Sequence, residues 1–106
     1  MPSCRTIMGV PYSYTGTLDT GLIVSTANST VRISPEVVRV VRQEIVKRSP
    51  VLMGANRKPL VQNSVGETLS TQYGWTPQYM SYVLPLLVES GFCKVSSKKP
   101  YVITKL

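Results

Sequence analysis

The segment 67–106 constrains the fold more than any other part of the chain. A short helix is predicted to end at Gly74, followed by a tight turn at 75–77 and a longer helix over about 76–90. Two strand-like runs then close the chain around the polar, lysine-rich tip at 96–100. The order helix, turn, helix, hairpin predicts an outward-facing second helix with a basic hairpin beside it.

The longer helix is predicted to have one apolar and one polar face. At about 3.6 residues per turn, the apolar face consists of Met80, Val83, Leu84 and Leu87. The opposite face consists of Gln78, Ser81, Tyr82, Pro85 and Glu89. Because a proline inside a helix frees a carbonyl, we expect Pro85 on the solvent side, where water or a ligand satisfies that group. Thr76 is the expected cap, and Gly91 is expected to end the helix.

An earlier helix is predicted over 34–48. Ser34 is a capping residue, Pro35 suits the first helical position, and a valine-rich stripe at helical spacing follows. The segment 49–60 reads as an irregular connection with turn residues. The helix after it begins either at Pro59 or at Asn63–Ser64, where Glu67 completes a capping pattern. Leu69 and Tyr73 are expected to point inward.

The N-terminal residues 1–33 are predicted to form an arm or a β-hairpin. Two β-branched runs, 22–26 and 29–33, flank a plausible turn, whereas 9–16 reads as an extended loop or arm. A flexible tail with one strand at its end fits the same residues. Residues 34–106 are expected to form one folded unit.

Charge narrows the choice of partner. Twelve Lys+Arg against five Asp+Glu give a net charge of +7 in 106 residues. Such a surplus favours a polyanionic partner, nucleic acid before an acidic membrane surface. No apolar run is long enough to span a bilayer, and no signal-peptide pattern begins the chain, so we expect an intracellular protein.

Catalysis and metal binding find no support in the residue types. The chain has no histidine, and its two cysteines, Cys4 and Cys93, are far apart, so neither a structural zinc site nor an acid–base pair is indicated. No glycine-rich phosphate loop is present. We expect a non-enzyme without cofactor or metal. Cys93 is expected to be a buried thiol; a disulfide with Cys4 is possible in principle.

The second half of the chain resembles the winged helix-turn-helix superfamily, in particular regulators of the MarR and PadR type. Two patterns carry the resemblance. In the first, an apolar and a small residue in one helix are followed by a glycine at the turn, an apolar residue after it and paired apolar positions in the next helix. The second is the segment 87–92, which follows the order leucine, acidic, small, glycine, apolar. The residues of the first pattern are Leu69, Ser70, Gly74, Trp75, Met80, Val83 and Leu84. The implied fold is α+β, a winged helix-turn-helix of three helices plus a C-terminal β-hairpin wing, with the N-terminal arm or hairpin added.

The resemblance implies a double-stranded DNA-binding site. The helix residues that would face the major groove are Thr76, Gln78, Tyr79, Ser81 and Tyr82. The wing residues Lys98 and Lys99, flanked by Lys94 and Lys105, would reach phosphates or the minor groove, and Arg57 and Lys58 would touch the backbone. Trp75 is expected in the core.

The resulting expectation is a sequence-preferring DNA-binding transcriptional regulator, acting as a homodimer because two-fold symmetry doubles the site that is read. One feature departs from this pattern: no Lys or Arg lies between Gly74 and Cys93. Affinity would then come from the wing and from arginines of the 34–48 helix. Two alternatives stay open, a winged-helix module that binds protein and a winged helix that binds RNA.

Overall fold

The computed structural model describes residues 3–106 and confirms the α+β class, with three helices, a four-stranded antiparallel sheet and a small second sheet. The N-terminal strands are β1 (Ser3–Arg5), β2 (Pro11–Thr17), β3 (Gly21–Ser25) and β4 (Thr30–Ile33). The remaining elements are α1 (Pro35–Arg48), β5 (Val51–Leu52), α2 (Val65–Tyr73), α3 (Tyr79–Glu89), β6 (Cys93–Val95) and β7 (Val102–Lys105).

The N-terminal region forms a four-stranded meander in the order β1-β2-β3-β4, which we call sheet A. The predicted hairpin is present as β3 and β4, with Leu22 opposite Ile33. The interpretation of 9–16 as a loop or arm was wrong, because most of it is strand β2, paired with both β1 and β3. Tyr12 is buried, but the strand around it consists of proline, serine, threonine, glycine and a second tyrosine. This strand therefore lacks the aliphatic alternation by which strands are usually found.

Helix α1 begins and ends as predicted. Ser34 caps it by accepting the N–H of Val37 (3.4 Å), and Pro35 stands in the first turn. The whole valine-rich stripe is buried: Val37, Val38, Val40, Val41 and Ile45. The stripe is broad because α1 contacts β3 of sheet A as well as β7 of the second sheet.

The connection after α1 contains a strand that the sequence did not indicate. The two-residue β5 pairs with β7, which gives the second sheet, here sheet B, the order β5-β7-β6. Helix α2 then starts at the second of the two predicted positions. The Ser64 hydroxyl accepts the N–H of Glu67 (3.0 Å), and the Glu67 carboxylate accepts the N–H of Asn63 (3.0 Å).

Helices α1 and α3 each contact both sheets. Helix α3 contacts β1 of sheet A and β6 of sheet B, as α1 contacts β3 and β7. The Arg48 guanidinium joins α1 to α2 by donating to Glu44 (3.1 Å) and to the Thr68 hydroxyl (2.9 Å). Cys93 is buried as expected, and it forms no disulfide with Cys4, since both thiols are free. Among residues 3–106, no helix has the length and hydropathy needed to cross a bilayer.

Candidate nucleic-acid interface

The turn between α2 and α3 is held by backbone hydrogen bonds. Gly74 adopts a left-handed conformation (φ 68°), and the next N–H, of Trp75, donates to the carbonyl of Leu69 (2.9 Å). The expectation that Tyr73 points inward was wrong, because 44% of it is exposed. Its ring stacks on Trp75 with centroids 4.7 Å apart. Trp75 is half-buried and packs against the core, so the stacked pair is anchored at the turn before α3.

Helix α3 begins at Tyr79, three residues later than the predicted start. Residues 76–78 form a turn in which the Thr76 hydroxyl accepts the N–H of Gln78 (3.3 Å) and the Thr76 carbonyl accepts that of Tyr79 (3.2 Å). Gln78 therefore occupies the capping position without a side-chain capping bond, and its side chain is exposed. At its other end the helix stops before Gly91 (φ 80°), which follows the predicted termination.

Sheet A covers much of the α3 face that was expected to be free. The Tyr12 hydroxyl donates to the backbone carbonyl of Tyr82 (2.8 Å), and the two rings meet edge to face with centroids 5.3 Å apart. Burial, followed by the influence of the nearby Cys4 thiol, raises the pKa of Tyr12. The prediction that Pro85 faces solvent was wrong: Pro85 is buried and lies, with Val88, beside β1.

This packing explains the uncharged helix. The buried residues of α3 extend beyond the predicted apolar face: Met80, Val83, Leu84, Pro85, Leu86 and Leu87. A helix that is covered on more than one face leaves little exposed surface on which charged side chains can stand. Leu86 and Pro85 are the sequence signal that α3 has a second covered face beside the predicted one.

The five residues in and before α3 that were expected at the DNA interface therefore differ in their exposure to solvent. Gln78 is exposed, while Thr76, Tyr79, Ser81 and Tyr82 are half-buried. Tyr82 is engaged with Tyr12. The accessible part of this region is thus the turn at residues 76–78 and the first turn of α3.

The expected basic positions are exposed in the β6–β7 hairpin and in the loop before α2. Lys98 and Lys99 stand at the hairpin tip, and Lys94 lies on β6. Ser96 closes the tip, because its hydroxyl accepts the N–H of Val102 (2.9 Å) and donates to the carbonyl of Lys98 (3.2 Å). Arg57 and Lys58 are exposed in the loop 53–64.

The loop 53–64 is fastened to the hairpin and to α2. The N–H of Met53 donates to the carbonyl of Tyr101 (3.0 Å), and the Met53 carbonyl accepts the N–H of Gly66 (3.1 Å). A Cβ at Gly66 would lie 1.7 Å from the Gly54 carbonyl oxygen, so only glycine permits this approach. Arg57 and Lys58 are consequently presented from an anchored loop.

A cleft of about 420 Å³ lies where four segments of the chain meet. Ser81 of α3 and Lys99 of the hairpin line it together, so the structure unites two of the predicted residues; Gln78 and Tyr82 do not line it. Other lining residues were not predicted from the sequence, among them Ile7, Met8, Met53, Asn56 and Tyr101. These residues come from segments that no local pattern connects.

Ion pairing separates two groups of cations. The three ion pairs found within residues 3–106 all involve arginines of α1: Arg39 with Glu36 (2.7 Å), Arg42 with Asp19 (3.3 Å) and Arg48 with Glu44 (3.1 Å). The α1 arginines were expected to add affinity, and the structure instead gives them carboxylate partners. The exposed cations of the hairpin and of the loop 53–64 take part in none of these pairs. They define the basic surface: Arg57, Lys58, Lys94, Lys98 and Lys99.

Comparison of the chain with protein-family profiles, with curated proteins and with solved structures finds no match.

Proposed function

We propose that the chain is a winged helix-turn-helix protein that binds double-stranded DNA with a sequence preference and regulates transcription. The chain order supports the fold: α1, a short strand, α2, a tight turn, α3 and a hairpin that completes a three-stranded sheet. In this interpretation β6 and β7 form the wing. A fold alone implies no activity, so the proposal depends on the site.

The observation that carries the proposal is the basic surface. Its five cations come from the anchored loop and the wing, and they lie outside the three ion pairs that involve the α1 arginines. Exposed cations without carboxylate partners gain by meeting phosphates, because each contact releases condensed counterions. With one phosphate per cation, log K would fall against log salt with a slope of about −4 to −5.

Base reading is assigned to the residues before α3 and in its first turn. Gln78 is exposed and can pair with N6 and N7 of adenine, while Thr76 and Tyr79 flank it. Tyr82 is not among the proposed base-contacting residues, because its ring packs on Tyr12. The helix would therefore approach the major groove by its N-terminal end, as recognition helices commonly do.

A homodimer remains part of the proposal, because one short reading end specifies few base pairs and a two-fold axis doubles the site. An intracellular location follows from the DNA partner. The alternative, a winged-helix module that binds another protein through the uncharged face of α3, loses its main support, because sheet A already packs on that face. The RNA-binding rival is weakened in the same way, because Tyr82 is not free to stack on a base.

The test is a salt titration of duplex binding by fluorescence anisotropy. The wild type is compared with Lys98→Gln/Lys99→Gln and with Arg57→Gln/Lys58→Gln. Each double variant should weaken binding to all sequences and reduce the salt slope by about two, one for each phosphate contact removed. The control is Arg32→Gln/Lys47→Gln, which removes the same charge from exposed positions on β4 and α1.

A second arm tests the reading residue. Gln78→Ala should relax the preference found by selecting bound duplexes from a random pool, with little change in the salt slope. The proposal fails if the wild type does not bind duplex at low salt. It also fails if the control variant weakens binding as much as the two site variants do.

A further inference from the structure

The cleft beside the basic surface has the character of a ligand site. It is lined by Met53 and Tyr101, which are joined by a hydrogen bond from the Met53 N–H to the Tyr101 carbonyl (3.0 Å), and by Ile7 and Met8 of the β1–β2 loop. Met8 is 65% exposed, which is unusual for a large apolar side chain. The cleft therefore has solvent-exposed apolar surface, at Met8, together with the aromatic residue Tyr101.

The size of the cleft limits what can enter. At about 420 Å³ it lies in the range of pockets that hold one small ligand, roughly 300–1,000 Å³. A DNA duplex is too wide to enter it. One nucleotide with its base turned away from the stack is of suitable size.

Charge identifies the chemistry of the occupant. Within the described residues no Asp or Glu lines the cleft, and Lys99 is the charged side chain that does. Asn56 and Ser81 add hydrogen-bonding groups that can meet the edge of a base. The cations continue beyond the cleft, at Lys98 on the wing and at Arg57 and Lys58 next to Asn56. That extension suits a chain of phosphates that passes the cleft, rather than one isolated anion.

We propose that the cleft receives a single unpaired nucleotide of the bound DNA. Its base stacks on the Tyr101 ring, its edge meets Asn56 and Ser81, and its phosphate meets Lys99. Aromatic stacking accepts any base, so this site recognises an unpaired position rather than a sequence. The inference rests on the proposed DNA binding and names a preferred substrate, a duplex that contains a bulged or displaced nucleotide.

The experiment compares two duplexes of the same length, one fully paired and one with a single unpaired adenine, by anisotropy at fixed salt. We expect the wild type to bind the bulged duplex about ten-fold more tightly, which is the effect of stacking one base on an aromatic ring. The variant Tyr101→Leu keeps an apolar side chain and the backbone bond to Met53, and it should lose this preference. The matched control is Tyr73→Leu, which removes a half-exposed ring outside the cleft.

Asn56→Ala provides a second variant, because Asn56 is exposed in a loop and its removal should not unfold the chain. It should lower the preference for the bulged duplex and leave binding to the paired duplex unchanged. A 2-aminopurine placed at the unpaired position should change its fluorescence on binding the wild type, and not on binding Tyr101→Leu.

The outcomes are separable. Equal affinity of the wild type for both duplexes overturns the cleft inference and leaves the proposed DNA binding standing. A preference that survives in both Tyr101→Leu and Asn56→Ala also overturns it, because the unpaired nucleotide would then bind elsewhere. Absence of binding to either duplex is a failure of the proposed function itself.

Discussion

The contact between Tyr12 and Tyr82 can be tested by removing one oxygen atom. In Tyr12→Phe the ring keeps its edge-to-face packing on Tyr82, while the hydrogen bond to the Tyr82 carbonyl (2.8 Å) is lost. A neutral hydrogen bond in a partly buried position contributes about 0.5–1.5 kcal/mol to stability. We therefore expect the free energy of unfolding to fall by about 1 kcal/mol, which in a domain of this size lowers Tm by roughly 4–8 °C.

The assay is urea denaturation together with thermal melting, and the matched control is Tyr14→Phe. Tyr14 lies on the same strand and is half-buried, and within residues 3–106 its hydroxyl has no hydrogen bond. Its replacement should cost less than about 0.5 kcal/mol. If the two variants are equally stable, the hydrogen bond from Tyr12 does not fasten sheet A to α3, and our account of the covered helix face is refuted.

Two further predictions concern stability. Ser64→Ala removes a buried hydroxyl that caps α2 and donates to the carbonyl of Val61 (2.7 Å). We therefore expect urea denaturation to show a loss of about 1–2 kcal/mol in the free energy of unfolding. The control is Thr71→Ala, at an exposed position of the same helix, and a loss no larger than that of the control would contradict the capping role. Burial raises the pKa of Cys93 above its usual 9.0 and that of Tyr12 above its usual 10.0. The unfolded chain therefore loses these protons first, and the free energy of unfolding should decline as pH rises above about 9. Melting curves from about pH 8 to 11 should show this decline. In Cys93→Ala the decline should begin at a higher pH than in the wild type. If the two proteins decline identically, the Cys93 thiol is not the source of the pH dependence.

The parts of the fold that could be predicted from sequence are those fixed by local chemistry. Ser34 and Pro35 predicted the start of α1, Ser64 with Glu67 predicted the start of α2, and Gly74 predicted its end. In each case the signal and the structure lie within one turn of the chain. The basic tip of the hairpin was predictable for the same reason.

The parts that could not be predicted depend on contacts distant in sequence. Strand β5 has two residues and exists because β7, some fifty positions later, pairs with it. Strand β2 is polar along most of its length, and its pairing with β1 and β3 determines its conformation. The cleft combines residues near positions 7, 55, 81 and 100, so no periodicity in the sequence could reveal it.

The attachment of sheet A to α3 limits how the protein can be redesigned or can diverge. Substitutions at Tyr82 or Pro85 must first satisfy the packing against the N-terminal strands, so they are poor places to introduce a new base preference. Variation at Thr76, Gln78 and Tyr79 meets fewer structural constraints. We expect libraries randomised at these three positions to yield folded proteins with altered targets, and libraries at Tyr82 and Pro85 to yield mostly unstable ones.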